Sequence, residues 1–253
     1  MINKALGILE NASEHGPQVD LLLEIVHWFM LILFVGWSIF FVYALIRFRK
    51  SKHPKADYTG VTSHNSTYIE IGVVVIEAVL LLGFAFPLWA KRVNEFPTGK
   101  DVVEVRITAQ QFTLNISYPG PDRVFGKRDF SFVNAKNPLG LDPNDPQGKD
   151  DITAPEKDLH LPVNKSAIIH LTSKDVIHSF TVRQMRITQD AIPGMSIPTW
   201  FKPIKIGKYE IACAQLCGNG HHTMNASLTV ESEEDFNKWL KEQAASGGAT
   251  SYE

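Results

Sequence analysis

Two uninterrupted apolar runs, Ile25 to Ile46 and Ile69 to Ala90, decide most of what this 253-residue chain can fold into. Each is 22 residues long, and a helix needs about 20 residues to cross the hydrocarbon core of a bilayer. Inside lipid the backbone must satisfy its own hydrogen bonds, which a helix does within one segment. The first run carries only His27 as an ionisable group; the second carries Glu70 and Glu77. Trp28 and Trp89 stand near the run ends, where amphipathic rings anchor at the membrane–water interface. The expectation is a membrane α-helical hairpin of two transmembrane helices.

Charge placement orients it. The connecting loop holds Arg47, Arg49, Lys50, Lys52 and Lys55 against Asp57, whereas the segment ahead of the first run holds Lys4 against Glu10, Glu14, Asp20 and Glu24. The positive-inside rule puts the loop in the cytoplasm and both termini outside. Lys91 and Arg92 dissent after the second run but are outnumbered. The first run starts too late and is too long for a signal-peptide core, and nothing resembles a transit peptide. A multi-pass protein of a bacterial plasma membrane is expected, its soluble part on the extracytoplasmic (periplasmic) side.

From Asp101 the character changes. VVEVRITAQQFTLNISY, HLPVNKSAIIHLTS, HSFTVRQMRI, TWFKPIKIGKYEIACA and ASLTV are rich in β-branched residues, and Pro- and Gly-containing clusters punctuate them. Short strands between turn signals predict a β sandwich or barrel. EEDFNKWLKEQAA has helical spacing; the tail SGGATSYE is expected to be flexible. The polar stretch from Pro119 to Pro155 reads as an ordered loop, since DPNDPQGKDD misses the spacing of a calcium loop. The predicted organisation is an extracytoplasmic segment 1–24, a hairpin 25–92 with cytoplasmic loop 47–68, a β domain 101–231, and a helix with flexible tail 232–253. The net charge of −2 gives no basic face for nucleic acid.

The chemistry is concentrated in CAQLCGNGHHTM, residues 213–224, which contains both cysteines of the chain. Two cysteines are too few for a disulfide framework, though one local disulfide is the plain alternative. Thiolate, imidazole and thioether are soft ligands that select copper, and a structural zinc site rarely uses Met. A mononuclear blue-copper site takes one Cys, two His and a weak Met, so this segment has one Cys too many. Two thiolates can bridge two coppers, each needing a further nitrogen. His221 is local, and His178 in DVIHSFTV is the best distant candidate. His222 reads as an exposed neighbour. His15, His53, His64, His160 and His170 read as core or surface residues.

CxxxCGxGHxxM with an upstream IHSF resembles the dinuclear copper (CuA) centre of cytochrome c oxidase subunit II, and HNSTYIE, DAIPGM and the WF before the last strands extend the resemblance over nearly the whole chain. It implies a cupredoxin-like Greek-key sandwich. It also implies that Cys213 and Cys217 bridge both metals, that His178 and Met224 complete one copper, and that His221 and the Gln215 carbonyl complete the other. A separate cytochrome c-type donor, or a donor complex, would supply electrons, because no CxxCH marks a fused heme domain. Hemes would lie only in the catalytic partner, subunit I of a proton-translocating heme–copper oxidase.

Other positions refine this. The resemblance makes Glu70 a proton-entry carboxylate; an intramembrane ionisable group is a functional hypothesis by default. Glu77, seven residues on, shares its face and is a candidate for pairing with a partner subunit. Where relatives place a magnesium-binding Glu between the cysteines this chain has Gln215, a weaker ligand for a hard cation, which leaves magnesium at the subunit interface open. Phe112 stands where relatives receive electrons on a tryptophan and is the candidate entry residue; Leu114 and Val73 replace further tryptophans. Pro119 to Asp158 nets only −2, so steering of a basic donor should be modest. A thioredoxin-like copper chaperone would need alternating helices and strands, a quinol oxidase subunit would lack the copper ligands, and a nitrous-oxide reductase would need a large further domain.

Overall fold

The computed structural model describes residues 2–56, 58–60, 63–134 and 137–245; the tail expected to be flexible, 246–253, lies outside them. The chain divides into two compact units. One holds residues 1–8 and 18–94, the other residues 9–17 and 95–253.

The first unit is helical. A single turn, α1 (Ile2–Ala5), precedes α2 (Gly16–Arg47). The second apolar run forms α3 (Asn65–Leu80), a π-helical turn (Leu81–Ala85) and α4 (Phe86–Asn94). Both helical stretches are long and apolar enough to span a bilayer. The π turn has a local cause. Pro87 offers no N–H and its ring crowds the carbonyl four residues earlier, which belongs to Gly83. Widening the helix at 81–85 relieves that conflict without breaking the span. Glu70 and Glu77 both lie on α3, and neither is buried in this chain.

The second unit is a cupredoxin-like sandwich of two five-stranded sheets. One sheet has the order β3-β2-β1-β5-β8, the other β4-β10-β9-β6-β7. The strands of the first are β1 (Val103–Gln110), β2 (Thr113–Tyr118), β3 (Ile152–Thr153), β5 (Ala167–Ser173) and β8 (Ile197–Phe201). Those of the second are β4 (Asp158–Pro162), β6 (His178–Val182), β7 (Ile187–Ala191), β9 (Gly207–Ala212) and β10 (Asn225–Glu231). Side chains two apart in a strand share a face, and the core follows that period: Val105 and Ile107, Ile169 and Leu171, Leu159 and Leu161, Phe180 and Val182, Leu228 and Val230 are all essentially inaccessible. Each such side chain contributes roughly 1.5–3 kcal/mol by leaving water. α5 (Glu233–Ala245) closes one end, with Phe236 buried and Trp239 packed edge-on against Tyr118.

Two features differ from a plain reading of the hydrophobic pattern. The long alternating stretch after Asp101 is two antiparallel strands, because the chain turns tightly at Gln111–Phe112 between β1 and β2. The segment before the first span is also part of the sandwich. Ala12 N–H donates to the Gln184 carbonyl (2.8 Å), Ile204 N–H donates to the Ala12 carbonyl (2.8 Å), and Glu14 N–H donates to the Lys202 carbonyl (3.0 Å). Ser13 is fully buried there and its hydroxyl donates to the Met185 carbonyl at 2.9 Å.

The Pro119–Pro155 stretch is held to the first sheet by arginines. Arg106 donates to the Gly126 carbonyl (2.9 Å) and lies 4.3 Å from the Phe125 ring centroid, and Arg128 donates to Thr108 Oγ1 and Ser117 Oγ, both at 2.9 Å. Burial raises the carboxyl of Asp151 to about 6 against the opposing pull of Gly126 N–H and the Arg128 and Arg106 charges.

Candidate metal centre

The cysteine loop joins β9 to β10, adjacent antiparallel strands inside the second sheet. Its ends are fixed by the ladder and by Cys213 N–H donating to the Met224 carbonyl at 3.2 Å. Between them a short 3-10 turn, His221–Thr223, folds the loop back over the end of the sandwich. Gly218 has φ +137°, a backbone conformation that side chains disfavour, and permits the sharp exit from Cys217.

Folding brings the donor atoms into one cluster. Cys213 Sγ and Cys217 Sγ are 3.9 Å apart. Cys217 Sγ lies 3.5 Å from His221 Nδ1 and 3.6 Å from Met224 Sδ. Cys213 Sγ lies 3.2 Å from the Gln215 carbonyl oxygen. His178 comes from the start of β6, and its ligand atom and both sulfurs lie within 4.8 Å of one another. Two donors about 2.0–2.3 Å from one tetrahedral metal stand roughly 3.3–3.8 Å apart, so spacings of this order suit a shared ion. They do not suit a disulfide, whose sulfurs bond at about 2.05 Å; both cysteines are free.

The imidazole of His178 shows the same fit from the other side. It is fully buried, and its Nε2 is 2.8 Å from Asp175 Oδ1. Its Nδ1 is buried with no hydrogen-bond partner. An orphaned ring nitrogen in a core is costly, and a metal ion is one way to satisfy it. An outer carboxylate that fixes the ring is a regular companion of metal-binding histidines. Burial alone would raise the Asp175 carboxyl, but hydrogen bonds from the Gln111 and Val176 N–H groups and the His178 ring hold it below the usual carboxylate range. Burial first, and the Cys213 thiol second, push the Cys217 thiol up to about 11. Free Cys217 is therefore protonated at neutral pH, and binding a metal there releases its proton.

The remaining sequence candidates fall elsewhere. Phe112 sits in the β1–β2 turn with its ring against the loop glycines: a Cβ added at Gly220 would lie 2.4 Å from Phe112 Cδ2. His222 is exposed, as an onlooker would be. The Gln215 carboxamide donates to Asp190 at 3.1 Å. That neutral amide supplies no carboxylate oxygen and is a weaker ligand for a hard cation than a Glu at this position would be. Sequence reasoning missed Asp175, Gln111 and Asp190. Only Asp175, three residues ahead of His178, left a local signal.

The profile described as the periplasmic domain of cytochrome c oxidase subunit II matches residues 143–232. The alternative cytochrome c oxidase subunit 2 of Bradyrhizobium diazoefficiens is 33% identical over 232 residues, covering 91% of this chain and 82% of that one. The chain belongs to the cytochrome c oxidase subunit II family. The cytochrome c oxidase subunit 2 of Cereibacter sphaeroides is 29% identical over 241 residues, with 88% of this chain and 77% of that one covered. The crystal structure of the periplasmic domain of subunit II of cytochrome oxidase from Bradyrhizobium japonicum is 28% identical, with a TM-score of 0.44 over 60% of this chain and 99% of that one. As a subunit II, the chain is one component of a heme–copper terminal oxidase.

Proposed function

We propose that this chain is the electron-entry subunit of its oxidase. It takes single electrons from a cytochrome c-type donor, or a donor complex, and passes them to heme in the catalytic subunit I, where oxygen is reduced to water with proton translocation. The observation that carries this reading is the clustering of Cys213, Cys217, His221, Met224 and the buried imidazole of His178, whose Nδ1 has no hydrogen-bond partner. When bound there, a pair of copper ions supplies a one-electron store whose charge is shared over two metals. The cysteine thiolates would bridge them, His178 and Met224 would complete one, and His221 with the Gln215 carbonyl the other. Asp175 holds the His178 ring, and the apolar surround of Phe180, Ile211 and Leu228 contributes a dry core behind the site.

The same reading places the sandwich outside the cytoplasm, with membrane lipid around the two apolar spans. Residues 9–17 and 95–253 form one unit although both apolar helices lie between them in sequence, which supports an even number of crossings. The basic loop between the spans then faces the cytoplasm.

Copper analysis of the loaded full-length chain tests the proposal. Two copper atoms per chain, a purple colour and a seven-line hyperfine pattern in paramagnetic resonance are expected; one atom or none, or a colourless thiol protein, overturns it. Glu70 serves as the proton-entry carboxylate at the cytoplasmic start of α3, with Glu77 pairing deeper in the membrane. Glu70→Ala should slow proton uptake linked to heme reduction by roughly tenfold, less than the 10²–10⁴ that an acid–base group contributes at a reacting centre. Unchanged uptake in time-resolved measurements removes Glu70 from the path.

A further inference from the structure

The two segments that carry the donor atoms are only thinly tied to each other by the sheet. β6 and β9 register through one pair, Thr181 with Ala212. A second tie runs through the turn between β1 and β2, in the opposite sheet. There the Gln111 N–H donates to Asp175 Oδ2 at 2.7 Å, while the other oxygen of Asp175 meets His178 Nε2 at 2.8 Å. The Gln111 side chain reaches the other way, and its Nε2 donates to the Cys217 carbonyl at 2.6 Å. The turn is itself fixed beside Asp175, because β1 runs parallel to β5 up to the pair Ala109 with Ser173 and Lys174 N–H donates to the Ala109 carbonyl at 3.0 Å.

We propose that Gln111 is a positioning residue for the metal centre, one residue that grips both halves of the donor set and fixes the separation between the His178 ring and the Cys217 sulfur. It touches neither metal nor donor. It acts through the Cys217 peptide on one side and through Asp175 on the other. The space around its amide is already closed: a Cβ at Gly218 would come within 2.6 Å of Gln111 Nε2. The carboxamide is thus seated between the loop and the turn, where a side chain of the same length without a donor leaves the Cys217 carbonyl unheld.

This inference rests on the two-copper reading above, and the experiment separates the two. Full-length wild type, Gln111→Met and Gln111→Glu are loaded with copper in detergent. The Met variant keeps the length and loses the donor; the Glu variant turns an oxygen toward the carbonyl. The readouts are the hyperfine pattern and the rate of copper removal by a Cu(I) chelator. Removal should be about tenfold to a hundredfold faster in both variants, the range that outer partners carry at metal sites, with altered hyperfine splitting and an unchanged melting temperature of the metal-free chains. Wild-type rate and spectrum in both variants overturn the positioning role. A metal-free melting temperature that falls in Gln111→Met as much as the loaded one also overturns it, since the effect then belongs to the fold. Failure of the wild type itself to bind two coppers defeats the reading beneath it.

Discussion

A Cys217→Ser chain loaded with copper is expected to hold at most one copper, to lose the seven-line pattern, and to take up electrons at least about a hundredfold more slowly once assembled. The size follows from position. Cys217 Sγ is the common neighbour of Cys213 Sγ at 3.9 Å, His221 Nδ1 at 3.5 Å and Met224 Sδ at 3.6 Å. Loss of an outer partner already costs 10–100-fold at metal sites, and this change removes a donor that both ions would share. A serine oxygen is harder and does not replace a soft bridging sulfur. The fold should survive, because the sandwich core of Ile107, Phe180, Leu161 and Leu228 lies in the strands rather than in the loop; melting of the metal-free chain checks this. Cys213→Ser should lose the same spectrum with less effect on packing, since Cys213 is only partly buried. A Cys217→Ser chain that keeps two coppers and the seven-line pattern refutes the bridging role.

What could be read from the sequence was what is encoded locally. Span length, strand alternation and the Cys–Cys–His–Met spacing each lie within one continuous stretch, and each sets geometry without outside help. The partners that hold the site are not local. Gln111 meets Cys217 across 106 positions, through a turn that breaks what reads as one long alternating strand. Residues 9–17 join the sandwich by backbone hydrogen bonds to segments near 184 and 202–204 and by ion pairs of Glu14 with Lys202 and Glu10 with Lys205, pairings between distant parts of the chain. His160 shows the same limit. It sits between Glu231 Oε1 at 2.8 Å and Asp158 Oδ2 at 3.1 Å and stacks 4.1 Å from Trp239 of α5. That clasp exists only because β4 lies parallel to β10 and the terminal helix returns over β4. Pro87 stands inside the second apolar run, and its consequence, a π turn rather than a break, follows from having a whole apolar span to complete around it.

Gly220 offers a steric test of how tightly the loop is seated. Its φ of −92° is open to any residue, so a side chain there meets no backbone strain. The obstacle is the Phe112 ring, whose Cδ2 would lie 2.4 Å and Cγ 2.7 Å from an added Cβ. Gly220→Ala should therefore destabilise the domain by about 1–3 kcal/mol, the usual penalty of overpacking. It should also speed copper loss by roughly tenfold, the low end of the range for disturbed metal-site supports, because the adjacent His221 must move with the loop. Phe112→Ala alone exposes the loop and destabilises it too. In combination the added methyl enters the space the ring leaves, so the double variant should be more stable than the sum of the single losses by about 1 kcal/mol or more, a coupling typical of residues in direct contact. Simple additivity in melting and in copper retention means that the ring does not restrain the loop, and Phe112 then has no structural hold on the centre that its place beside the glycines implies.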